Sequence, residues 1–281
     1  MPELPEVESV CRLMRRTIQG RRITRVEVMP DEIVLSGNPP EAVEAALMGR
    51  TVTNVGRRGK FWWLELDGDG PTVFGHLGMS GWIREVGHEG KRLHSHGKAP
   101  LVDAEGRPRF LKLLIEVEGG GGVAFTDSRR FARIWLGESH ASDKQVRRLG
   151  PDAYEGLPPL EELIVKLAKR KAPIKAVLLD QSSFAGIGNW IADEVLYQAG
   201  IAPKRLSSSL SVEEVESLRK SIETVLAHAV DVDADYTHFP DEWLFHHRWG
   251  GGKGDEHVQG GEIVRETVAG RTTAWVPERQ K

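Results

Sequence analysis

The stretch FAGIGNWIADE, residues 184–194, places two glycines directly before an apolar helical segment. We expect Gly186 and Gly188 to form a turn and a helix to begin near Asn189. The pattern matches half of a dinucleotide-binding fingerprint, but it lacks the third glycine and follows no clear strand, so a Rossmann domain is disfavoured. The backbone amides at the start of such a helix can instead hold a phosphate.

Helical patterns continue on both sides of this turn, and residues 151–237 are predicted to form a helical domain. Downstream of the turn, Ser211 and Glu214 have the spacing of a capping box. This spacing predicts that a long helix starts at SVEEVESLRKSIETVLAHAV. Upstream, one face of a shorter helix is formed by Leu160, Leu163, Ile164 and Leu167.

The two ends of the chain have different patterns, so the whole is predicted to be an α+β multidomain protein. Residues 238–281 include EIVRETVAGRTTAWVP, which predicts a β-hairpin that turns at Ala269 and Gly270. Residues 1–150 begin with a helix, and after it the glycine-rich turns predict a β-sandwich or barrel. The stripe of that helix is Val7, Val10, Met14 and Ile18. One helix, PPEAVEAAL, interrupts the strands ITRVEV, TVTNV, KFWWLEL, PTVFGHL, GWIREV, FLKLLIEVE, VAFTD and RIWL.

The composition is that of an ordinary globular chain and excludes disordered, collagen-like and coiled-coil proteins. The 281 residues include 38 Lys and Arg against 41 Asp and Glu, and 40% are hydrophobic. No apolar stretch approaches the roughly 20 residues that cross a bilayer, and the N-terminus has acids where a signal peptide needs basic residues. We therefore expect an intracellular protein without a membrane partner. The net charge of −3 does not decide nucleic-acid binding, which depends on local basic surfaces.

The single cysteine, Cys11, can form neither an internal disulfide nor a zinc site built from several thiolates. The histidine pairs in HSH at 94–96 and HH at 246–247 suggest a metal site. No cysteine lies near them and the carboxylate spacing is ordinary, so no metal and no cofactor are predicted.

The N-terminus, MPELPEVESV, places the carboxylates of Glu3, Glu6 and Glu8 directly after Pro2. Proline suits the first turn of a helix and acidic residues there suit its dipole, so the pattern is typical of a helix start. It also has a chemical interpretation. Removal of Met1 would make Pro2 a secondary amine; an α-amino group has a pKa of about 8, so part of it can attack an electrophilic sugar carbon at neutral pH.

Two basic segments allow both a structural and a binding interpretation. Lys60 in GRRGKFWWLEL stands where a strand begins, which is typical of a solvated strand end. With Arg57 and Arg58 beside it, Lys60 can equally belong to a phosphate clamp. The second segment is either the solvated face of a helix or a basic surface ahead of the glycine turn; its cations are Lys166, Lys169, Arg170, Lys171 and Lys175.

Six motifs together resemble one family in one order, over nearly the whole chain. They are MPELPEVESV, GRRGKF, HLGMSG, TDSRRFARIW, GIGNWIADEVLYQAGI and AGRTTAWVP. The chain is thereby identified as similar to the formamidopyrimidine-DNA glycosylase and endonuclease VIII family of base-excision repair enzymes. The resemblance implies an N-terminal helix plus β-sandwich, a helix–two-turn–helix domain and a C-terminal β-hairpin finger.

The resemblance also implies the chemistry of a bifunctional glycosylase and abasic-site lyase that flips a damaged base out of the duplex. Pro2 would be the nucleophile at the sugar C1′, and Glu3 the acid/base group that helps the ring open and the base leave. Glu6 would be a supporting carboxylate. The Schiff base would make the sugar protons acidic, and eliminations at the 3′ and then the 5′ phosphate (β,δ-elimination) would cut the strand.

Further residues are assigned to DNA by the same resemblance. Lys60 would contact the lesion phosphate, and Asn189 and Arg271 would hold neighbouring phosphates. Lys175 and Gly188 belong to the same predicted DNA-binding set.

The gap left by the flipped base would be filled by Met79, Arg129 and Phe131, through an apolar wedge, a guanidinium and a ring. The alternative is that Met79 and Phe131 belong to the core of the sandwich.

The chain departs from the family pattern in three places. It lacks the four cysteines of a zinc finger, so a zincless finger is expected, supported by the packing of Trp243, Phe245, Trp249 and Trp275. The segment DADYTHFPDEWLFHHRW contains no long capping loop, so we expect formamidopyrimidines, hydantoins and oxidised pyrimidines to be handled better than 8-oxoguanine. The stretch 87–109 is longer than the family needs, and a surface hairpin or an added DNA contact would each account for it.

The rival hypothesis from another class is a catalytically silent protein that binds damaged DNA on the same scaffold. Binding alone would use Lys60, Asn189 and Arg271, whereas it has no use for Pro2 beside Glu3. The expected partner is double-stranded DNA with oxidised bases or abasic sites. We expect a monomer in the cytoplasm and nucleoid, or in the nucleus if the source is eukaryotic.

Overall fold

A computed structural model describes residues 2–88, 102–103, 106–250 and 256–281. The described chain divides into two compact units: unit 1 contains Pro2 and Glu6–Arg147, and unit 2 contains Glu3–Pro5 and Arg148–Lys281. Within unit 2 lie both the predicted helical domain, 151–237, and the predicted finger, 238–281. Most of the stretch 87–109, with HSH at 94–96, lies outside the described residues.

The first helix of unit 1 follows the predicted apolar stripe. Helix α1, Leu4–Ile18, buries Val7, Val10, Met14 and Ile18. The second predicted helix is α2, Pro40–Leu47, and a short helix α3, Lys144–Arg147, ends the unit. No described helix has the length and apolar character needed to cross a membrane.

Eight strands of unit 1 form two separate four-stranded antiparallel sheets, and the described strands form no closed barrel. The sheet orders are β1-β6-β7-β5 and β2-β3-β4-β8. The predicted strands are confirmed as β1 (Ile23–Val28), β2 (Val52–Arg58), β3 (Phe61–Leu66), β4 (Thr72–His76), β5 (Trp82–Glu85), β6 (Leu111–Val117), β7 (Gly122–Thr126) and β8 (Arg133–Gly137).

One apolar core joins helix α1 to both sheets of unit 1. It includes Met14 of α1, Ile115 of β6 and Leu64 of β3, all of which are buried. A smaller cluster of Trp63, Phe74, Trp135 and Val146 packs elsewhere in unit 1. Because apolar residues of both sheets enter the larger core, unit 1 is a helix packed with a β-sandwich.

Unit 2 is helical up to residue 231. Its helices are α4 (Leu160–Ala168), α5 (Ile174–Leu179), α6 (Asn189–Ala199) and α7 (Val212–Asp231). The predicted capping box at the start of α7 is confirmed, since the Ser211 hydroxyl accepts from Glu214 N while the Glu214 carboxylate accepts from Ser211 N.

The C-terminal part of unit 2 consists of two small hairpins. The first pairs β9 (His257–Val258) with β10 (Gly261–Glu262), and the second pairs β11 (Val264–Val268) with β12 (Arg271–Trp275). The second is the predicted finger hairpin; its turn residues Ala269 and Gly270 both have positive φ, 53° and 71°. Such angles match the twist of the flanking strands.

Helix α6 carries a buried carboxyl group that joins it to the segment ahead of the hairpins. Glu194 is fully buried, and its Oε2 accepts from Phe245 N at 2.8 Å while its Oε1 accepts from Gln198 Nε2 at 2.8 Å. Burial raises the pKa of Glu194 to about 7. The neutral form of this carboxyl is therefore favoured in the folded protein below that pH.

Because deprotonation of Glu194 is disfavoured in the folded protein, we expect Glu194 to lower the stability of the protein as the pH rises. The folded pKa of Glu194 lies above the value of 4.5 for an exposed Glu, so the folded state binds more protons than the unfolded state between the two values. The free energy of unfolding should then fall from about pH 5 to about pH 8, by up to about 3 kcal/mol. Urea unfolding at several pH values should show this slope, and Glu194→Gln should lack it; equal slopes would contradict the assignment.

Candidate functional site

Glu3 forms the cap of helix α6. Its carboxylate is almost completely buried, with Oε1 accepting from Trp190 N at 2.9 Å and Oε2 from Ile191 N at 3.2 Å. These amides belong to the first turn of the helix and have no partner within it. The residue at the N-cap position, Gly188, has no side chain to offer, so Glu3 supplies the cap from a distant part of the sequence.

The two glycines of the opening motif make room for the N-terminal residues. A Cβ on Gly188 would lie 2.2 Å from Glu3 Cδ. Gly186 has a φ of +106°, its carbonyl accepts from Leu4 N at 3.2 Å, and a Cβ there would lie 2.4 Å from Leu4 Cδ1. The predicted turn and helix start are therefore present, but they receive Glu3 and Leu4.

For two of the first amides of the helix, this arrangement corrects the expectation that they hold a phosphate. The amides of Trp190 and Ile191 are already bonded to the Glu3 carboxylate. Gly188, which was predicted as a DNA contact, lies against that same carboxylate. The close approach of Glu3 is enough to explain why this position has no side chain, and no contact with nucleic acid is needed to explain it.

Pro2 and Glu6 flank the capping carboxylate in sequence. Pro2 is buried, and Glu6 lies half-buried in the first turn of α1. Glu3 is fixed by two hydrogen bonds, and its covalent bond to Pro2 restricts where Pro2 can lie.

Asn189 and Arg271 are brought together at the finger hairpin. Asn189 Nδ2 donates to the carbonyl of Thr272 at 2.8 Å, and Arg271 is the exposed neighbour of that residue at the start of β12. Two residues predicted to hold phosphates therefore lie next to each other in unit 2. The contact also couples the start of α6 to the hairpin.

Lys175, which was predicted as a DNA contact, is completely buried instead. Its Nζ donates to Asp193 Oδ1 at 2.5 Å and to Thr273 Oγ1 at 2.7 Å, and it lies 3.4 Å from the Thr272 carbonyl. Burial lowers the pKa of Lys175, although the Asp193 carboxylate opposes the shift. The ammonium group thus supports the finger hairpin through its hydrogen bonds to Asp193 and Thr273, and it is not available to a phosphate.

Asp193 is the centre of this support and was missed by the sequence reasoning. Its second oxygen accepts from Arg248 Nη2 at 2.6 Å and from Ala274 N at 3.2 Å, and the residue is 1% exposed. The only available signal was the pair of acidic residues, Asp193 and Glu194, within the mostly apolar pattern of helix α6. We name this group, Lys175, Asp193, Arg248 and Thr273, the finger network.

Of the four aromatic residues predicted to support the finger, Trp275 lies on strand β12 of the hairpin itself, and the other three precede the hairpins in sequence. Trp243 is buried in the helical core, and Phe245 is partly buried against that core. Trp249 is exposed, and the Arg248 guanidinium lies over its ring. The small apolar core that includes the hairpin strands is made of Tyr197, Leu244, Val258, Ile263, Ala274 and Val276. The support of the finger is therefore this core together with the finger network.

His246 and His247 each lie beside a backbone carbonyl. His246 Nε2 is 3.2 Å from the Phe239 carbonyl, and His247 Nε2 is 3.4 Å from the Asp241 carbonyl. Within the described residues, no three His, Cys, Asp or Glu side chains are grouped as metal ligands.

Lys60 lies in the tight turn between β2 and β3 and is 8% exposed. Arg57, which was predicted to join it in a phosphate clamp, is also buried, and its Nε donates to Glu8 Oε2 at 2.9 Å. Arg57 Nη1 donates to the carbonyl of Gly59 at 3.2 Å. Arg57 therefore ties the Lys60 turn to helix α1.

His76 is a further residue of this region that the sequence reasoning did not assign, although it belongs to the quoted motif HLGMSG. Burial, and then the charges of Lys60 and Arg133, lower the pKa of His76 to about 4. The ring is therefore neutral at neutral pH, and its Nδ1 accepts from Gly78 N at 3.1 Å. The remaining ring proton is on Nε2.

The three residues predicted to fill a gap in DNA lie on two loops of unit 1. Met79 is half-buried in the loop after β4, and Arg129 and Phe131 are exposed in the loop before β8. The Arg129 guanidinium carbon is 5.0 Å from the centre of the Phe131 ring, and Phe131 is 45% exposed. Neither Met79 nor Phe131 belongs to the apolar core, so the core alternative is wrong.

Comparisons with known proteins agree with the sequence motifs. Residues 1–134 match the formamidopyrimidine-DNA glycosylase N-terminal domain, and residues 149–248 match the helix–two-turn–helix domain of the same enzymes. A formamidopyrimidine-DNA glycosylase of Arabidopsis thaliana is 42% identical over all of this chain and 71% of its own length. The enzyme of that name from Rhizorhabdus wittichii is 33% identical over the full length of both chains.

Solved structures of the Lactococcus lactis formamidopyrimidine-DNA glycosylase share the fold. One, bound non-covalently to DNA with an abasic site, has a TM-score of 0.79 and 27% identity over 99% of both chains. Another, with DNA containing a formamidopyrimidine lesion of deoxyguanosine, has a TM-score of 0.79 and 26% identity over 99% of this chain and 100% of the other. A third, with DNA containing an oxidised pyrimidine, has a TM-score of 0.80 and 26% identity over both whole chains.

The substitution Gly188→Ala should displace the Glu3 carboxylate from its helix. The added methyl occupies the carboxylate position, so we expect the free energy of unfolding to fall by about 1–3 kcal/mol. In a protein that already carries Glu3→Ala the clash is absent, so the added cost of Gly188→Ala should be smaller by about 1 kcal/mol or more. Urea unfolding of the four proteins measures this coupling.

Gly156→Ala provides the matched control for that experiment. A Cβ on Gly156 meets Asp152 N only at 3.5 Å, an ordinary contact. Its effect should add to that of Glu3→Ala without coupling. Equal additivity for Gly188→Ala would show that Glu3 does not occupy the helix start in solution.

Proposed function

Since the chain belongs to the formamidopyrimidine-DNA glycosylase family, we propose that it is a DNA repair glycosylase that removes oxidised bases and then cuts the strand. Its partner is double-stranded DNA containing oxidised bases or abasic sites, as in the complexes of the L. lactis enzyme. The observation that carries the proposal is the pair Pro2 and Glu3, in which a helix start fixes the carboxylate next to the candidate nucleophile.

Pro2 acts as the nucleophile after Met1 is removed. Its secondary amine attacks C1′ of the damaged nucleotide, and the bond from C1′ to the base breaks. Glu3 is the acid/base group that protonates the sugar oxygen as the ring opens, and the base leaves with a proton. The amide hydrogen bonds to Oε1 and Oε2 hold the carboxylate in place for this exchange. Glu6 supports the same region from the first turn of α1.

The Schiff base between Pro2 and C1′ makes the sugar protons acidic, because its cationic nitrogen withdraws electrons from the neighbouring carbons. Loss of a C2′ proton expels the 3′ phosphate, and a second elimination expels the 5′ phosphate. The strand is thereby cut on both sides of the lesion without hydrolysis of a phosphate ester. Water then releases Pro2 from the sugar fragment.

Phosphates around the flipped nucleotide are bound by Lys60, Asn189 and Arg271. The hydrogen bond from Asn189 to Thr272 supports the placement of the last two residues on one surface of unit 2. Lys175 is not part of this set because its ammonium group is buried in the finger network. Its contribution to DNA binding is through the position of the hairpin.

Met79, Arg129 and Phe131 fill the gap that the flipped base leaves. The exposure of Phe131 beside Arg129 supports this assignment, since a large apolar ring at a loop tip has no core to enter. The ring and the methionine replace lost stacking, and the guanidinium hydrogen-bonds the unpaired partner base.

The lesion class follows from the segment between α7 and the finger. Residues 232–250 form short turns whose Phe239, Trp243 and Leu244 are buried, with no long loop to cover a flipped base. We therefore propose that formamidopyrimidines, hydantoins and oxidised pyrimidines are excised in preference to 8-oxoguanine.

Borohydride trapping tests the chemistry. The protein, in EDTA, should form a covalent band with an abasic-site duplex that maps to Pro2, because reduction fixes the Schiff base. Pro2→Gly should keep duplex binding while losing that band and much of the cutting. Binding without any band, in protein shown to lack Met1, would favour the silent DNA-binding alternative; a band that EDTA removes and zinc restores would refute the zincless finger.

Lesion preference is measured in single-turnover excision from otherwise identical duplexes. Guanidinohydantoin and formamidopyrimidine duplexes should be processed faster than an 8-oxoguanine duplex. The physical reason is the absence of a covering loop in residues 232–250. Faster excision of 8-oxoguanine would overturn this ranking and leave the trapping result unaffected.

A further inference from the structure

One buried carboxylate joins the two loops that carry Met79, Arg129 and Phe131. Asp127 follows β7 and is 2% exposed. Its Oδ1 accepts from Ser80 Oγ at 2.6 Å and from Arg129 N at 3.1 Å. Its Oδ2 accepts from Ala132 N at 2.8 Å. A neighbour of Met79, the backbone of Arg129 and the residue after Phe131 therefore share one acceptor group.

The backbones of the two loops are packed too closely to shift independently. A Cβ on Gly78 would lie 2.3 Å from the carbonyl carbon of Phe131, and Gly78 has a φ of +63°. The Met79 loop is also closed on itself by a hydrogen bond from Gly81 N to the Leu77 carbonyl at 2.8 Å. The Asp127 hydrogen bonds thus join two loops whose backbones are already in close contact at Gly78 and Phe131.

An ion pair fixes the residue between Arg129 and Phe131. Arg130, with a φ of +58°, directs its guanidinium to Asp31, with Nη2 3.0 Å from Oδ1. Lys112 Nζ lies 2.8 Å from the other Asp31 oxygen. Although burial opposes it, hydrogen bonds from Arg130 and Lys112 hold the pKa of Asp31 well below its usual range. The anchor therefore persists across physiological pH.

We infer that Asp127 is a positioning residue that assembles Met79, Arg129 and Phe131 into a preformed wedge before DNA binds. The inference rests on the proposed function, because it assumes that these three side chains fill the gap in the duplex. Loops that are already ordered lose no further conformational freedom when the base flips. Asp127 consequently matters only for substrates in which a base must leave a duplex.

The test compares two substrates that differ in this requirement. A duplex with a formamidopyrimidine lesion needs extrusion of the base, whereas a single-stranded oligonucleotide with an abasic site needs only the chemistry at Pro2 and Glu3. In Asp127→Asn we expect excision from the duplex, as kcat/KM, to fall by about tenfold or more. Cutting of the single-stranded abasic site should be unchanged, because the catalytic residues are untouched.

Asp143→Asn is the matched control. Asp143 is another acceptor carboxylate of unit 1, bonded to Gln145 N, Val146 N and Trp135 Nε1 at 2.8, 2.9 and 3.0 Å, and these three donors lie outside the two loops. It should leave the ratio of the two activities unchanged. Ser80→Ala, a milder change, should show the selective loss in smaller degree, and Ser80→Thr should restore the wild-type ratio by keeping the hydroxyl.

Phe131→Ala separates failure of this inference from failure of the proposed function. If Phe131→Ala shows the selective duplex loss and Asp127→Asn does not, the wedge exists but Asp127 does not position it. If Phe131→Ala leaves both activities unchanged, the three side chains do not fill the gap. An equal fall of both activities in Asp127→Asn and Ser80→Ala would show a general structural role and overturn the inference.

Discussion

The carboxylate of Glu3 at the start of helix α6 is the constraint on which the proposed N-terminal chemistry depends. A buried helix start with unpaired amides is costly, by about 1–3 kcal/mol for each unsatisfied group. Glu3 removes that cost by accepting from the amides of Trp190 and Ile191, and the same two hydrogen bonds hold its carboxylate in place. A chain end is otherwise among the most mobile parts of a protein, whereas a reacting group must be placed to within about 0.5 Å.

Helix α6 organises the finger as well as the N-terminus. Its first residue, Asn189, donates to the Thr272 carbonyl, and one turn later Asp193 holds Lys175 and Arg248 beside the hairpin strand. Lys175, Arg248 and one backbone N–H all donate to the buried Asp193 carboxylate, and removing one member of such a buried charged group is costly. Such a group fixes a hairpin in one place, which is also what metal ligation does for a zinc finger.

The regular elements could be predicted because their signals are local. The stripe of α1, the eight strands of unit 1, the capping box at Ser211 and the turn at Ala269 all follow from spacings within about 20 residues. The partners of charged residues are not local. Lys175 meets Asp193 and Thr273, 18 and 98 residues away, so its sequence context is the same whether its ammonium group faces water or a buried acid.

The same dependence on partners distant in sequence applies to Gly188 and Arg57. A helix start after two glycines suits a phosphate and a carboxylate equally, and only the fold supplies Glu3 for Gly188 to receive. Arg57 stands beside Lys60 in sequence, yet its partner Glu8 lies on another element. The family resemblance predicts the roles of whole motifs, but within a motif the division between contact and support depends on these distant partners.

That division also explains how a chain with a net charge of −3 can suit a polyanionic partner. Buried acids hold part of the cations in structural pairs: Glu8 binds Arg57, Asp31 binds Arg130, and Asp193 binds Lys175 and Arg248. Arg129 and Arg271 belong to none of these pairs and are exposed on a loop and at the finger hairpin. Because phosphate binding depends on where the exposed cations lie, the total charge carries no information about it. Glu8, Asp31 and Asp193 add negative charge to the composition, but each of them holds a cation in a structural pair and so helps to fix the loops and the hairpin that carry the exposed cations.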